Sequence, residues 1–256
     1  EPPAVVGILA SDVIIPRLLL MQGTSEFVRD RKATLGDIVK STTLEVVGNP
    51  DSMLEFIPLA VPQTGWRVEK RMVGAQRWEF HAREPRNAMN DGLAWKFHAD
   101  KDGKLIPETE KSTHEWRRVK TLNLFAILPS DIVASQAEMK KAAEGELPDL
   151  SKALTPVMIE FRSTSFTAGK EVATFFSQVQ QFRATAWKYK LKLGCFQDTN
   201  DQGTYYVFKV DRNAPGKVDA SLLEDVEHWV KIVSSGVSLQ VDEEKEEGAA
   251  EGAGNF

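Results

Sequence analysis

The chain has 256 residues, of which 42% are hydrophobic and 27% charged, as in a soluble protein with one large or two small domains. It shows no apolar run long enough to span a membrane and no signal peptide, and its single cysteine excludes an internal disulfide, so we expect a cytoplasmic protein. The net charge of −5 comes from residues 242–256, which hold six acids and one base; the rest has 31 acids and 31 bases. A neutral body predicts localised rather than uniform attraction to phosphate.

The first half of the chain predicts an extended arm followed by short β-strands. Strand patterns, bounded by Gly and Pro, are predicted at residues 36–47 (two strands), 54–59, 66–70 and 116–128, after an arm at 1–34. Residues 73–115 have a looser pattern with turn sequences and scattered aromatics, which predicts an insertion of irregular hairpins.

The second half predicts alternating helices and strands. Helices are predicted at 129–143, 168–183 and 220–234, and strands at 157–162, 187–193 and 204–210. In the middle helix, Val172, Phe175, Val179 and Phe182 recur in steps of three and four, which predicts that all four face the core.

The element order predicts the fold class. Barrel-forming strands, then strand, helix, strand and hairpin, is the order of an OB-type barrel, although a general α+β sheet gives the same order. We therefore predict a mostly β or α+β protein: an OB-like antiparallel barrel with an irregular hairpin insertion and a few peripheral helices. The predicted domains are an N-terminal arm at 1–34, one OB-like domain at 35–240 with its insertion at about 73–115, and a disordered acidic tail at 241–256.

Three lysines, Lys188, Lys190 and Lys192, alternate along one predicted strand and form a lysine ladder on one face. Their mutual repulsion would be relieved by an anionic ligand that follows the strand. A plainly solvated face, or protection of an edge strand, explains the same pattern.

Elsewhere, basic residues stand beside aromatic ones, a mixture that suits single-stranded nucleic acid because cations bind phosphate while aromatic rings stack on bases. Most of the six tryptophans are nevertheless expected in the core. The predicted DNA-binding residues are Trp66, Arg67, Lys70, Arg71, Trp116, Arg117, Arg118, Lys120, Arg162, Lys188, Lys190 and Lys192.

The search for an enzyme is mostly negative. The four histidines are widely spaced, and the sequence contains no HExxH, CxxC, Walker, GxGxxG or GxSxG motif. We predict no catalytic residue, no cofactor and no metal site. A metal-dependent nuclease stays open, because acidic residues are plentiful.

The C-terminal residues form an acidic tail with one final aromatic. With almost nothing apolar to bury, this tail cannot offset the entropy of ordering, so we expect disorder that presents Phe256 to solvent or to a partner's pocket. A tail that only solubilises the protein is the alternative. The predicted partner-binding residues are Asp242, Glu243, Glu244, Glu246, Glu247, Glu251 and Phe256.

Two stretches resemble sequences encoded by tailed bacteriophages. They are residues 14–23 (IIPRLLLMQG) with the following 36–39 (GDIV), and residues 161–170 (FRSTSFTAGK) with the following 200–208 (NDQGTYYVF). Together with the acidic tail and Phe256, the chain resembles the phage replicative single-stranded DNA-binding proteins. That resemblance implies an OB barrel and a tail that recruits polymerase, helicase or primase.

These patterns predict a sequence-independent single-stranded DNA-binding protein of phage replication, recombination or repair, in the host cytoplasm and with a homodimer possible. The competing hypothesis is a phage structural or assembly protein whose sheets build a protein interface. The neutral body and the six tryptophans suit that second hypothesis.

Overall fold

A computed structural model describes residues 14–23, 25–71, 78–85, 97–99, 105–107, 116–200, 203–235 and 240–241. The strands are β1 (Ile14–Ile15), β2 (Arg17–Leu20), β3 (Ile38–Lys40), β4 (Val46–Gly48), β5 (Leu54–Pro58), β6 (Gln63–Arg71), β7 (Trp78–Pro85), β8 (Phe97–Ala99), β9 (Leu105–Pro107), β10 (Trp116–Ile127), β11 (Val157–Arg162), β12 (Tyr189–Asn200), β13 (Gly203–Lys217) and β14 (Gln240–Val241). The helices are α1 (Glu26–Arg29), α2 (Pro129–Ala143), α3 (Phe166–Gln181) and α4 (Leu223–Ser234).

One large curled sheet dominates the fold. Its strand order is β13-β12-β5-β10-β11-β2-β3-β4, and β6 pairs with β10 and carries β7 on its other side. The predicted class is confirmed: the protein is mostly β, with a barrel-like sheet and a few helices. The sheet is mixed rather than wholly antiparallel, because β11 and β2 run parallel, with Met158 opposite Arg17 and Ile159 opposite Leu18.

The strand β2 has a more central place than the sequence suggested. It lies between β11 and β3 in the sheet, and Leu18 is buried in the main core. The predicted N-terminal arm therefore supplies an interior strand from Arg17 onward. Within the predicted insertion, β7 extends the sheet and β8 pairs with β9.

The main hydrophobic core fills the inside of the curl, and α3 packs against it. Apolar side chains of β10, β11, β12 and β13 meet the buried face of this helix there. At Gly169 the helix approaches the sheet so closely that a Cβ would lie 2.9 Å from Leu122 Cδ1 and 2.9 Å from Phe161 Cβ. Because any larger residue would push the helix away, Gly169 fixes the position of α3 on the sheet.

A second core joins α2 and α4 to the far end of the sheet. Ile132 of α2 and Val226 of α4 are fully buried there with Ile57 and Ile127. The predicted bounds of α2 are confirmed, and α4 follows a 3-10 turn at Ala220–Leu222. The helix α3 therefore packs on the main core, and α2 and α4 pack on the second core.

Side chains from other segments form hydrogen bonds with backbone N–H and C=O groups on the outer edge of β13. The carboxamide of Gln22 accepts a hydrogen bond from Tyr206 N (2.9 Å) and donates one to Tyr206 O (2.8 Å). Ser165 Oγ accepts from Phe208 N at 3.1 Å. These contacts hold β13 against the segment after β2 and cover backbone groups that would otherwise pair with another strand.

Candidate nucleic-acid interface

The solvent face of α3 is polar and almost free of acid. The helix buries Ala168, Gly169, Val172, Phe175 and Val179 against the core. Its exposed residues are Thr167, Lys170, Thr174, Ser177, Gln178, Gln180 and Gln181. Glu171 is the single acidic residue along the helix. Nothing on this face would repel a polyanion strongly.

The N-terminal end of α3 combines one aromatic ring with two cations. The Nζ atoms of Lys120 and Lys170 lie 5.6 Å and 5.4 Å from the ring centroid of Phe166, within the range of a cation–π contact. Neither Lys120 nor Lys170 forms an ion pair with any described residue. Both positive charges therefore remain available to an anion.

In the middle of α3, an arginine of the strand β13 neutralises the charge of Glu171. Arg212 of β13 donates from Nε to Glu171 Oε2, and its Nη1 lies 3.1 Å from Gln178 Oε1. This pair removes the negative charge that would otherwise interrupt the basic face.

At its C-terminal end α3 stops in a Schellman turn. Arg183 N donates to Gln180 O (2.9 Å) and Ala184 N donates to Val179 O (3.0 Å), while Arg183 takes the left-handed conformation with φ 52°. The prediction that Phe182 faces the core is wrong: its side chain is 83% exposed, because the turn ends the helix before this residue and directs it outward. A few residues on, Lys188 Nζ lies 5.4 Å from the ring centroid of Trp187.

These residues together are called the α3 track: Lys120, Phe166, Lys170, Phe182, Arg183, Trp187, Lys188 and Arg212. The helix of 16 residues is about 24 Å long at 1.5 Å per residue. The track holds five basic residues, and Glu171 is the one acidic residue of the helix. Together they carry a net charge of +4, whereas residues 1–241 of the chain are neutral. The track is thus a basic strip with Phe166 at one end and Phe182 and Trp187 at the other. Phe166 and Trp187 are partly buried against the two cores, whereas Phe182 is exposed.

Several of the predicted DNA-binding residues instead hold the sheet together. Trp66 is 7% exposed and Arg67 is 1% exposed. Arg67 Nε lies 2.5 Å from Glu69 Oε1, and Arg162 Nη1 lies 2.9 Å from the same oxygen. Burial, followed by repulsion from Arg162, lowers the pKa of the Arg67 guanidinium below its usual range. Arg67 is too deeply buried to meet a phosphate on the surface.

Five further predicted residues lie where β6 and β10 pair. Lys70 stands opposite Trp116, Glu69 opposite Arg117 and Val68 opposite Arg118, and Arg71 ends β6. The structure describes only the backbone at these basic and aromatic positions. Their part in binding therefore stays a prediction, as does that of the tail residues 242–256, which lie outside the described residues.

The lysine ladder is not a single row. Lys188 belongs to a 3-10 turn at Ala186–Lys188 rather than to the strand, and a β-bulge separates Lys190 from Lys192. Lys190 Nζ lies 3.1 Å from Glu55 Oε2 and 3.7 Å from Asp219 Oδ2. Lys188 and Lys192 are exposed.

The sequence prediction found Lys120 and Lys188 of the track and missed Phe166, Lys170, Phe182, Arg183, Trp187 and Arg212. A signal for some of them was present. Phe182-Arg183 and Trp187-Lys188 repeat the aromatic-then-basic pair that singled out Trp66-Arg67 and Trp116-Arg117.

Over the described ranges, no group of three or more His, Cys, Asp or Glu side chains is arranged to hold a metal ion. Within those same ranges, no helix is both long and apolar enough to cross a membrane.

Residues 6–238, most of the chain, match the model of a phage protein family. The molecule is therefore a phage protein with a mostly β, barrel-like fold. The chain belongs to the Pam3 phage gp34-like protein family. No curated protein and no solved structure matches it. The family confirms the expected phage origin, and the match ends before the acidic tail begins at Asp242.

Proposed function

We propose that this protein binds single-stranded DNA without sequence preference and acts in phage DNA replication, recombination or repair. The observation that carries the proposal is the α3 track, which combines a net charge of +4 with aromatic rings at both ends. Cations contact the phosphates of any sequence, and every base offers a flat face for stacking. The protein itself supplies no chemistry in this role.

The exposed ring of Phe182 favours single strands over duplex DNA. In a duplex, neighbouring bases already cover each other's faces, so a protein ring on the surface gains little. Unpaired bases can turn outward and stack on a side chain. Base stacking, added to the charge of the α3 track, therefore predicts tighter binding to single strands.

The test is fluorescence anisotropy with a labelled oligo-dT of about 16 nucleotides, measured over a range of salt concentrations. The variant replaces Lys120, Lys170 and Lys188 by Gln. Its matched control replaces Lys140, Lys152 and Lys231, exposed lysines away from α3, by Gln and so removes the same charge. Losing three phosphate contacts should flatten the slope of log K against log salt by about 2.

The control should keep the wild-type slope, because its lysines do not contact DNA. Equal losses in both variants would show that only overall charge matters. Equal or tighter binding of the wild-type protein to duplex DNA would overturn the proposal.

We propose that the acidic tail recruits replication proteins, with Phe256 filling a pocket on the partner. The acids from Asp242 to Glu251 supply long-range attraction to a basic surface, whereas an aromatic ring contributes by burial. The host-cell cytoplasm, where phage DNA is copied, is the proposed location.

A phage structural or assembly protein is the second proposal, and one observation favours it. Four apolar side chains on and after α2 are strongly exposed: Val133 (57%), Met139 (54%), Leu147 (96%) and Leu150 (81%). Exposed apolar groups of this kind can build a protein interface. Size-exclusion chromatography with light scattering separates the two proposals, since large assemblies that ignore added oligonucleotide would favour this one.

A further inference from the structure

Phe182 is unusual among the apolar residues of α3. Val172, Phe175 and Val179, which precede it on the same helical repeat, are buried, whereas Phe182 is 83% exposed. The other strongly exposed apolar side chains of the described residues belong to different elements. Phe182 is therefore the one strongly exposed apolar side chain at the end of α3, next to the exposed polar residues Gln180, Gln181 and Arg183.

The next residue occupies a position where glycine is normally found. Arg183 is the residue after the helix cap and has φ 52°, a conformation that a side chain disfavours and that glycine adopts freely. Arg183 N donates to Gln180 O and Ala184 N donates to Val179 O; both are backbone bonds, which a glycine at position 183 would preserve. The arginine side chain therefore carries a conformational cost without any role in the turn itself.

We propose that Phe182 is the ring on which an unpaired nucleobase stacks and that Arg183 binds the phosphate next to that base. This inference rests on the proposed function and deepens it, by naming the base-contacting residue. The planar guanidinium of Arg183 suits a phosphate, and the exposed ring suits the face of a base.

The surroundings favour a nucleotide over an apolar protein partner. The exposed neighbours on the last turn of α3 are Gln178, Gln180 and Gln181, and Gln178 accepts a hydrogen bond from Arg212. A protein interface needs a contiguous apolar area. One ring surrounded by amides and guanidinium groups matches a flat base attached to a charged backbone.

The experiment compares two probes, an oligo-dT and an abasic oligonucleotide of equal length, which has the same phosphates and no bases. Phe182→Ala should weaken binding to oligo-dT by about tenfold, the order expected for one lost stacking contact. It should leave binding to the abasic strand unchanged. Thr174→Ala, an exposed change on the same helix, is the matched control and should alter neither.

Arg183→Gly supplies an independent readout. The variant should melt at a higher temperature than the wild type, because glycine relieves the left-handed conformation. It should nevertheless bind both probes more weakly, with a salt slope flatter by about 0.7, since one phosphate contact is lost. A variant that is more stable but binds DNA more weakly would show that the Arg183 side chain serves DNA binding rather than folding.

Other outcomes overturn the inference. If Phe182→Ala binds oligo-dT as the wild type does, or loses both probes equally, the ring does not stack on a base. If the variant changes only self-association in light scattering, the ring serves a protein contact. If the wild-type protein binds neither probe, the proposed function itself fails. If the wild-type protein binds oligo-dT and Phe182→Ala binds it equally well, only the inference about Phe182 fails.

Discussion

Arg212 of β13 forms an ion pair with Glu171, the single acidic residue of α3. The Nη1 atom of Arg212 also lies 3.1 Å from Gln178 Oε1, two helical turns after Glu171. The pair neutralises the helix surface and holds β13 beside it. Because a basic residue is used to cancel the acid, the same pair also limits the positive charge of the α3 track.

Replacing Glu171 by Gln should therefore tighten DNA binding. The change frees the Arg212 guanidinium for a phosphate, so the slope of log K against log salt should steepen by about 0.7. Stability should fall by about 1 kcal/mol or less, since the ion pair lies at the surface and is only partly buried. Glu224→Gln in α4 removes the same charge elsewhere and is the control; an equal gain in both variants would contradict the prediction.

Gln22→Ala should destabilise the protein. The side chain of Gln22 satisfies both the N–H and the C=O of Tyr206, so its loss leaves two backbone groups of β13 without partners. We expect a loss of about 1–3 kcal/mol in the free energy of unfolding. Urea titration followed by tryptophan fluorescence measures it, with the exposed Gln181→Ala as control, and equal midpoints would refute the structural role of Gln22.

The lysine ladder should divide into two groups. Lys188→Ala should flatten the salt slope by about 0.7, because the Lys188 side chain is exposed and belongs to the α3 track. Lys190→Ala should leave the slope unchanged, since the hydrogen bond to Glu55 raises the pKa of Lys190 and commits its charge to the protein. If Lys190→Ala has the largest effect, the ion pairs must open when DNA binds.

Cys195 should be unreactive in the native protein. Burial, followed by the negative charge of Asp37, raises the pKa of its thiol to about 11, and its Sγ lies 3.0 Å from Gly36 O. Since the thiolate is the reactive form, labelling by iodoacetamide at pH 8 should be slow in the folded protein and fast in urea. Labelling should accelerate as the pH rises toward 11; rapid native labelling at pH 8 would contradict the burial.

Deletion of residues 242–256 should tighten DNA binding, most visibly at low salt. Six acids tethered to the protein compete with DNA for basic residues at a high effective concentration. Phe256→Ala should leave DNA affinity nearly unchanged while weakening the capture of replication proteins, because the ring acts only by burial. If deletion changes neither property, the tail serves solubility alone.

The elements with strong local signals could be predicted from the sequence. The start of α2 follows from Pro129, and its end from Gly145. The end of α3 could not be placed as well, because its left-handed residue is Arg183 and not the glycine that normally marks such a turn. The position of β2 inside the sheet could not be predicted either, because it pairs in parallel with β11, a strand far along the chain, and such pairing leaves no local sequence pattern.

Local sequence patterns were also insufficient to predict the candidate site. Trp66-Arg67 and Phe182-Arg183 are equivalent as sequence, yet the first pair is buried within the sheet and the second lies at a helix end. An aromatic residue beside a base indicates function only when both reach the surface. Tertiary packing decides that, and no local pattern reports it.

The contact between Gln22 and Tyr206 joins residues 184 positions apart. During synthesis on a ribosome, β2 leaves the exit tunnel long before β11, its parallel partner, or β13 has been translated. β2 can pair with β3 soon after synthesis, but its buried Leu18 must wait for the later strands and for α3, which complete the main core around it. Transiently exposed apolar surface promotes aggregation, so we expect the yield of folded protein to fall when translation stalls within the first two-thirds of the message.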